Sequence, residues 1–260
     1  MNSSALLAFA ITFASGAATS LGACAAFFIR KKDFKTLALA MSFSAGVMIF
    51  VSFCDILPIS SDFLAKNFGE APAAARAVSL AMFFAGALFA GIIDAFVPEH
   101  VETKMLDGDD SSAKLGKTAF ITAAALAIHN FPEGMSVFFS TLEDTRLGLA
   151  LAFAIMLHNI PEGMSVALPV YHSTGSKKRA FWTATFSGMV EPFGALCAYF
   201  ILMPVLTPAL VGACMAATGG IMVYIALDEL LPMANQYDNQ HSAIIGVFLG
   251  MLAMAAASFI

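Results

Sequence analysis

The sequence predicts an all-α integral membrane protein of eight transmembrane helices in a 3+2+3 inverted repeat, with residues 1–260 forming a single transmembrane domain. Three observations predict it: an apolar composition, apolar blocks of membrane-spanning length, and two internal repeats. With 59% hydrophobic and 12% charged residues and a mean hydropathy of +0.82, the chain has too little polar surface to cover a water-soluble globule of its size.

Apolar blocks fall at 5–29, 36–57, 77–97, 118–139, 147–170, 181–203, 209–231 and 242–260. Each is close to the ~20 residues that cross ~30 Å of hydrocarbon. The first is too long for a signal peptide and its basic cluster follows it, so it reads as a retained span. Arg30, Lys31, Lys32, Lys35, Lys104, Lys114, Lys117, Lys177, Lys178 and Arg179 fall on one side of the resulting topology, and Lys66, Arg76 and Arg146 on the other. The positive-inside rule makes the first side cytoplasmic and puts both termini outside, in a cell inner or plasma membrane. The longest hydrophilic stretch, 98–117, is a cytoplasmic loop holding Glu99, His100, Glu102, Asp107, Asp109 and Asp110. A solvated charge run and a weak metal-collecting loop both fit it. Cys24, Cys54, Cys197 and Cys214 all sit inside apolar blocks without C-x-x-C spacing, as small core hydrophobes do.

Residues 129–137 (HNFPEGMSV) and 158–166 (HNIPEGMSV) match at eight of nine positions, on successive spans that run in opposite directions. More weakly, 44–58 (SAGVMIFVSFCDILP) matches 218–232 (TGGIMVYIALDELLP), pairing the second span with the seventh in opposite orientation. Inverted repeats of this kind build secondary transporters.

Asp55, Asp94, Glu133, Glu162, Glu191, Asp228 and Glu229 lie inside the predicted spans, and no Lys or Arg does. A carboxylate at the bilayer centre costs at least ~2.5 kcal/mol, so these acids line a wet cavity, stay protonated or meet an imported cation. His129 and Glu133, four residues apart, lie about 40° apart on one helix face with Asn130 beside them. Pro132 cannot donate to the carbonyl of Ile128, which kinks the helix and leaves an oxygen free at the site. Gly134 lets a neighbouring helix approach. His158, Asn159, Pro161, Glu162 and Gly163 repeat the arrangement at the same depth, enough ligands for one metal or for two bridged by carboxylates. Nitrogen and oxygen ligands without thiolate suit Zn²⁺, Fe²⁺, Mn²⁺ and Co²⁺ rather than Cu⁺.

Glu191, in the middle of the sixth span before Pro192, fits a further metal ligand or a packing and gating acid, with Thr183 and Ser187 on its face. Thr12, Ser15 and Thr19 form a small polar stripe on the first span, suited to helix packing. Ser136 and Ser165 extend the ligand faces as pathway residues or helix contacts. Asp55 near the outer surface, and Asp94, Asp228 and Glu229 near the inner one, fit ion attraction at the pathway mouths or helix-end hydrogen bonding. Met48 and Met222 occupy equivalent repeat positions, whereas the other methionines read as packing residues.

At these residues the chain resembles the ZIP (Zrt/Irt-like) metal transporters, in particular their bacterial zinc-uptake branch. The resemblance spans all eight segments and rests on the paired HNxPEG motifs, the Glu-Pro of the sixth span and the Asp-x-x-Pro and Glu-x-x-Pro ends of the second and seventh. It implies metal influx through a binuclear centre of His129, Asn130, Glu133, His158, Asn159, Glu162 and Glu191. It also implies that the first, fourth, fifth and sixth spans move against the second, third, seventh and eighth, and that the protein is a homodimer. Many members carry a histidine-rich loop after the third span; this loop has only His100.

The expected function is therefore uptake of zinc, with iron, manganese and cobalt, into the cytoplasm by alternating access. Divalent metal ions and the lipid bilayer are the expected partners, nucleic acid is not, and no cofactor beyond the transported metal is expected. The competing class is an intramembrane metallohydrolase, which needs an open coordination position and a separate general base. Only His129 and His158 of the five histidines lie within spans and no H-E-x-x-H occurs, so an enzyme is disfavoured. A metal sensor would need a soluble output domain.

Overall fold

A computed structural model describes residues 3–28, 34–68, 71–96, 111–203, 207–237 and 240–257. These form eight helical rods: α1 (Ser3–Ala26), α2 (34–68), α3 (Pro72–Phe96), α4 (Ser111–Glu143), α5 (Thr145–Thr174), α6 (177–202), α7 (208–237) and α8 (Gln240–Ala257). By length and composition α1, α2, α3, α5, α6 and α7 can each cross a membrane; α8 is a shorter apolar helix, and α4 has 33 residues. The chain is an all-α, multi-pass membrane protein.

The rods end where side chains satisfy the free backbone groups of a helix terminus. Asp144 alone separates α4 from α5, which lays them antiparallel. Its carboxylate accepts from the amides of Arg146 (2.7 Å) and Leu147 (3.1 Å). Gly175, at φ 66°, closes α5 in the left-handed conformation, and Ser176 then caps α6. Thr207 caps α7, with Pro208 in its first turn.

Three rods contain π-helical turns: Val51–Ile56 in α2, Ala198–Leu202 in α6 and Ala226–Leu230 in α7. Each stops two residues before a proline in the sequence, Pro58, Pro204 and Pro232. A proline removes one amide from the ladder, and a π turn re-pairs the carbonyls around the gap. This corrects the predicted end of the second span at 57: α2 continues through Pro58 to Phe68. Likewise α4 is already helical from Ser111, so the predicted loop 98–117 is shorter at its C-terminal end. Residues 97–110, with Glu99, His100, Glu102, Asp107, Asp109 and Asp110, lie outside the described residues.

Packing divides the rods into two groups. In α1, α4, α5 and α6, glycines bring backbones together. The Cβ positions of Gly22 and Gly163 fall on the carbonyls of Ile160 and Thr19, and those of Gly134 and Gly194 on the carbonyls of Glu191 and Phe131. In α2, α3, α7 and α8, Gly46 and Gly250 meet the carbonyls of Val247 and Phe43, and Gly86 and Gly220 those of Ala217 and Phe83. Close approach at small residues is how helices associate without a hydrophobic driving force. Every such approach among the described glycines falls within one group.

Candidate metal centre

The two HNxPEG segments face each other across α4 and α5, and they pair crosswise. Nε2 of His129 lies 3.3 Å from the Glu162 carboxylate, and Nε2 of His158 lies 3.4 Å from that of Glu133. Each histidine thus meets the glutamate of the opposite helix rather than the one four residues along its own. Asn130 donates to Glu162 (3.0 Å) and to the carbonyl of Ser187 (3.2 Å). Asn159 donates to Glu191 and to the carbonyl of Ser15 (3.0 Å). These contacts draw α1 and α6 onto the pair, and all seven predicted ligands are buried.

Gly134 explains how α6 comes so close, because its Cα packs on the Glu191 backbone itself. Gly163 packs in the same way on Thr19 of α1. Gly188-x-x-Glu191-x-x-Gly194 on α6 therefore has a counterpart in Gly16-x-x-Thr19-x-x-Gly22 on α1, and Gly16 and Gly188 touch each other where the two helices cross. The first span carries no carboxylate to mirror Glu191. The structure puts a threonine hydroxyl in that place.

Several buried donors and acceptors have no partner: Nδ1 of His129 and of His158, Oδ1 of Asn130 and of Asn159, Oε2 of Glu191, and the hydroxyls of Ser15 and Thr19. With Nε2–H donating to a carboxylate, Nδ1 of each imidazole keeps a free lone pair, the usual arrangement of a metal-binding histidine with its carboxylate partner. Two imidazoles, two amide oxygens and three carboxylates suit a borderline divalent cation. Among the described residues no three His, Cys, Asp or Glu side chains already converge into a coordination shell. Among the described residues none of the three carboxylates has a Lys or Arg partner, and the Lys–acid pair, Lys66–Glu143, lies at helix ends.

The remaining predicted positions are scattered. Glu229 is buried with Oε2 unpartnered, beside a cavity of about 30 Å³ that Asp94 and Tyr224 also line. The Tyr224 hydroxyl donates to Asp94 (3.4 Å). Asp228 is exposed, and Asp55 is half-buried within the π turn of α2, so neither joins the central seven. Ser165 bonds back to the Glu162 carbonyl (2.7 Å), and Ser187 donates to the Ala123 carbonyl (3.3 Å). Ser136 leaves the centre altogether and meets Thr218 of α7 (3.3 Å). Sequence reasoning did not single out Ser44, Thr218 or Tyr224. The first two open the weaker repeat, which was the signal available for them.

A multi-pass helical protein with mid-helix histidines, amides and uncompensated carboxylates belongs to the class that handles cations inside the bilayer. Residues 98–258 match the family described as ZIP Zinc transporter. The chain belongs to that family, in its bacterial zinc-uptake branch, and is not an enzyme. Its relatives include proteins named Zinc transporter ZupT. That of Chlorobium luteolum is 46% identical, covering 94% of this chain and 94% of the relative. That of Nitratidesulfovibrio vulgaris is 42% identical over 96% of this chain and 95% of the relative. That of Streptococcus mutans is 42% identical over 96% of each.

Proposed function

We propose that this chain is a secondary transporter that takes divalent transition-metal ions, zinc foremost and also iron, manganese and cobalt, into the cytoplasm. The observation that carries the reading is the crosswise pairing of two identical motifs, His129 with Glu162 and His158 with Glu133, at the buried centre of the helices. The names of the relatives, zinc transporters along nearly their full length, support zinc as substrate. The metal is held by His129, Asn130, Glu133, His158, Asn159, Glu162 and Glu191 in a binuclear centre, where three carboxylates are enough to bridge two ions.

Transport proceeds by alternating access, with α1, α4, α5 and α6 moving as one body against α2, α3, α7 and α8. The confinement of glycine-mediated backbone approach to each of these groups supports that division. A 3+2+3 inverted repeat underlies it. Its support is the correspondence of Gly16-x-x-Thr19-x-x-Gly22 with Gly188-x-x-Glu191-x-x-Gly194, and the π turns of α2 and α7 at matching places in the weaker repeat. The single transporter domain sits in the inner or plasma membrane with both termini outside, as the distribution of Lys and Arg favours. The protein works as a homodimer; the exposed stripe Leu80, Phe84, Leu88 and Ile92 on α3 offers an apolar face for it.

Radioactive zinc uptake into proteoliposomes tests the reading. Glu133→Ala and Glu162→Ala reduce uptake to background, and unlabelled Fe²⁺, Mn²⁺ and Co²⁺ compete with the wild type. Undiminished uptake in both variants sinks the assignment.

A further inference from the structure

Hydrogen bonds between helices sort as the glycine contacts do. Within α1, α4, α5 and α6 they include the central network and Ser20 with Thr185 (3.0 Å). Within α2, α3, α7 and α8 they include Ser60 with Ser79 (2.9 Å), Ser60 to the Gly212 carbonyl (2.8 Å) and Tyr224 to Asp94. Between the groups, buried links are few. Ser44 of α2 donates to the backbone carbonyl of His158 on α5 (3.3 Å). Ser136 of α4 donates to the hydroxyl of Thr218 on α7 (3.3 Å), and Thr218 in turn donates to the Cys214 carbonyl (3.0 Å). Ser140 reaches only the Met215 sulfur, at 3.9 Å.

Ser44 and Thr218 are the opening residues of the two segments of the weaker repeat, 44–58 and 218–232. Each is buried, and each touches one of the two helices that carry an HNxPEG motif: Ser44 grips α5 at the histidine itself, and Thr218 grips α4 three residues beyond Glu133. Both side chains are buried, so a partner that slides away leaves a polar group short of a hydrogen bond. Displacement of the motif helices along α2 and α7 breaks both bonds together.

We propose that Ser44 and the Ser136–Thr218 pair are two matched latches, positioning residues that set the register of the metal-binding helices on the other four and thereby the balance between the conformers of the transport cycle. This rests on the two-body motion proposed above. Single interhelical hydrogen bonds within a membrane are weak, so the latches hold a register and still release.

The test uses the full chain in proteoliposomes, in a background whose native cysteines are replaced. Spin labels at Leu149→Cys on α5 and Phe248→Cys on α8, both exposed positions in opposite groups and away from the α3 stripe, report the distance between the bodies. The wild type gives two distance populations whose ratio zinc changes. Ser44→Ala with Ser136→Ala shifts the ratio in zinc-free protein by about fivefold or more. It also changes the maximal rate of zinc uptake, with KM held within about twofold. Ser44→Thr, which installs the residue its counterpart already carries, restores the wild-type ratio and rate. Two populations with an unchanged ratio in the double variant overturn the latches and leave the motion standing. A single distance with and without zinc overturns the motion instead. A double variant that loses KM and maximal rate together shows a damaged metal centre and also overturns the latch role.

Discussion

Thr19 on α1 stands to Gly163 as Glu191 on α6 stands to Gly134: in each case the motif glycine packs on the backbone of that residue. The scaffold around the centre is thus matched on its two sides while its chemistry is not. Asn159 reaches Glu191, but Asn130, with only a threonine on its matching side, turns to Glu162.

Asn159 therefore aims Glu191. Asn159→Ala removes a proposed ligand oxygen together with the amide that orients this carboxylate, and zinc affinity falls by at least about 10- to 100-fold, the usual effect of losing the outer partner alone. Isothermal titration of purified protein reads it directly. Equal affinity in variant and wild type means that Glu191 does not depend on this amide.

Glutamine keeps the shape and one hydrogen-bonding oxygen of glutamate without its charge. Glu133→Gln and Glu162→Gln therefore fold, because an uncharged amide is cheaper to bury than a carboxylate. Both lose measurable zinc binding. Thermal unfolding in detergent separates the two effects, since a melting temperature close to the wild type's is expected alongside absent binding. Collapse of the fold in both variants would falsify the view that these carboxylates are kept for metal rather than for packing.

Two glycines make a contrast in stability. A Cβ at Gly163 lands on the Thr19 carbonyl, so Gly163→Ala forces α1 and α5 apart at a cost of about 1–3 kcal/mol. At Gly175 a Cβ meets nothing, and Gly175→Ala bears only the left-handed backbone, about 1–2 kcal/mol. Only the first also reduces zinc affinity, because only its displacement reaches Asn159 and Glu162. Melting curves and titrations on the same preparations check both halves of the statement.

Lys66 and Glu143 join the ends of α2 and α4, each about half exposed, and Lys66 also lies 4.7 Å from the centroid of the Phe63 ring. Water screens such a pair, so Lys66→Gln lowers stability by no more than about 0.2–1 kcal/mol, and moderate salt abolishes even that. A larger, salt-insensitive loss in the melting temperature contradicts this.

The residues that meet at the centre were legible in the sequence because the motif is written twice. His129, Asn130 and Glu133 recur as His158, Asn159 and Glu162, and a helical spacing of four places each set on one face. The crosswise pairing was not legible, since which glutamate a histidine meets depends on the rotation of α4 against α5 and on the glycines that set their neighbours' distance. Nor was the equivalence of Thr19 and Glu191: small residues at such spacings are common in membrane helices, and only the contacts with Gly134 and Gly163 give these meaning. Pro58 and Pro232 read as stops because proline ends most helices. In α2 and α7 the π turns before them absorb the missing amide, and the helix goes on.

Those π turns carry a consequence for the geometry of α2. Bonds that skip five residues accommodate one more residue than an α-helical turn would, so the side chains after Ile56 are wound about 100° out of phase with those before Val51. Met48 and Pro58 thus point in directions that a plain helix of the same sequence would not allow. Excising one residue from 51–56 converts the stretch to ordinary α-helix without disturbing either flank's facing, whereas the same excision elsewhere in α2 turns everything downstream like a misthreaded screw.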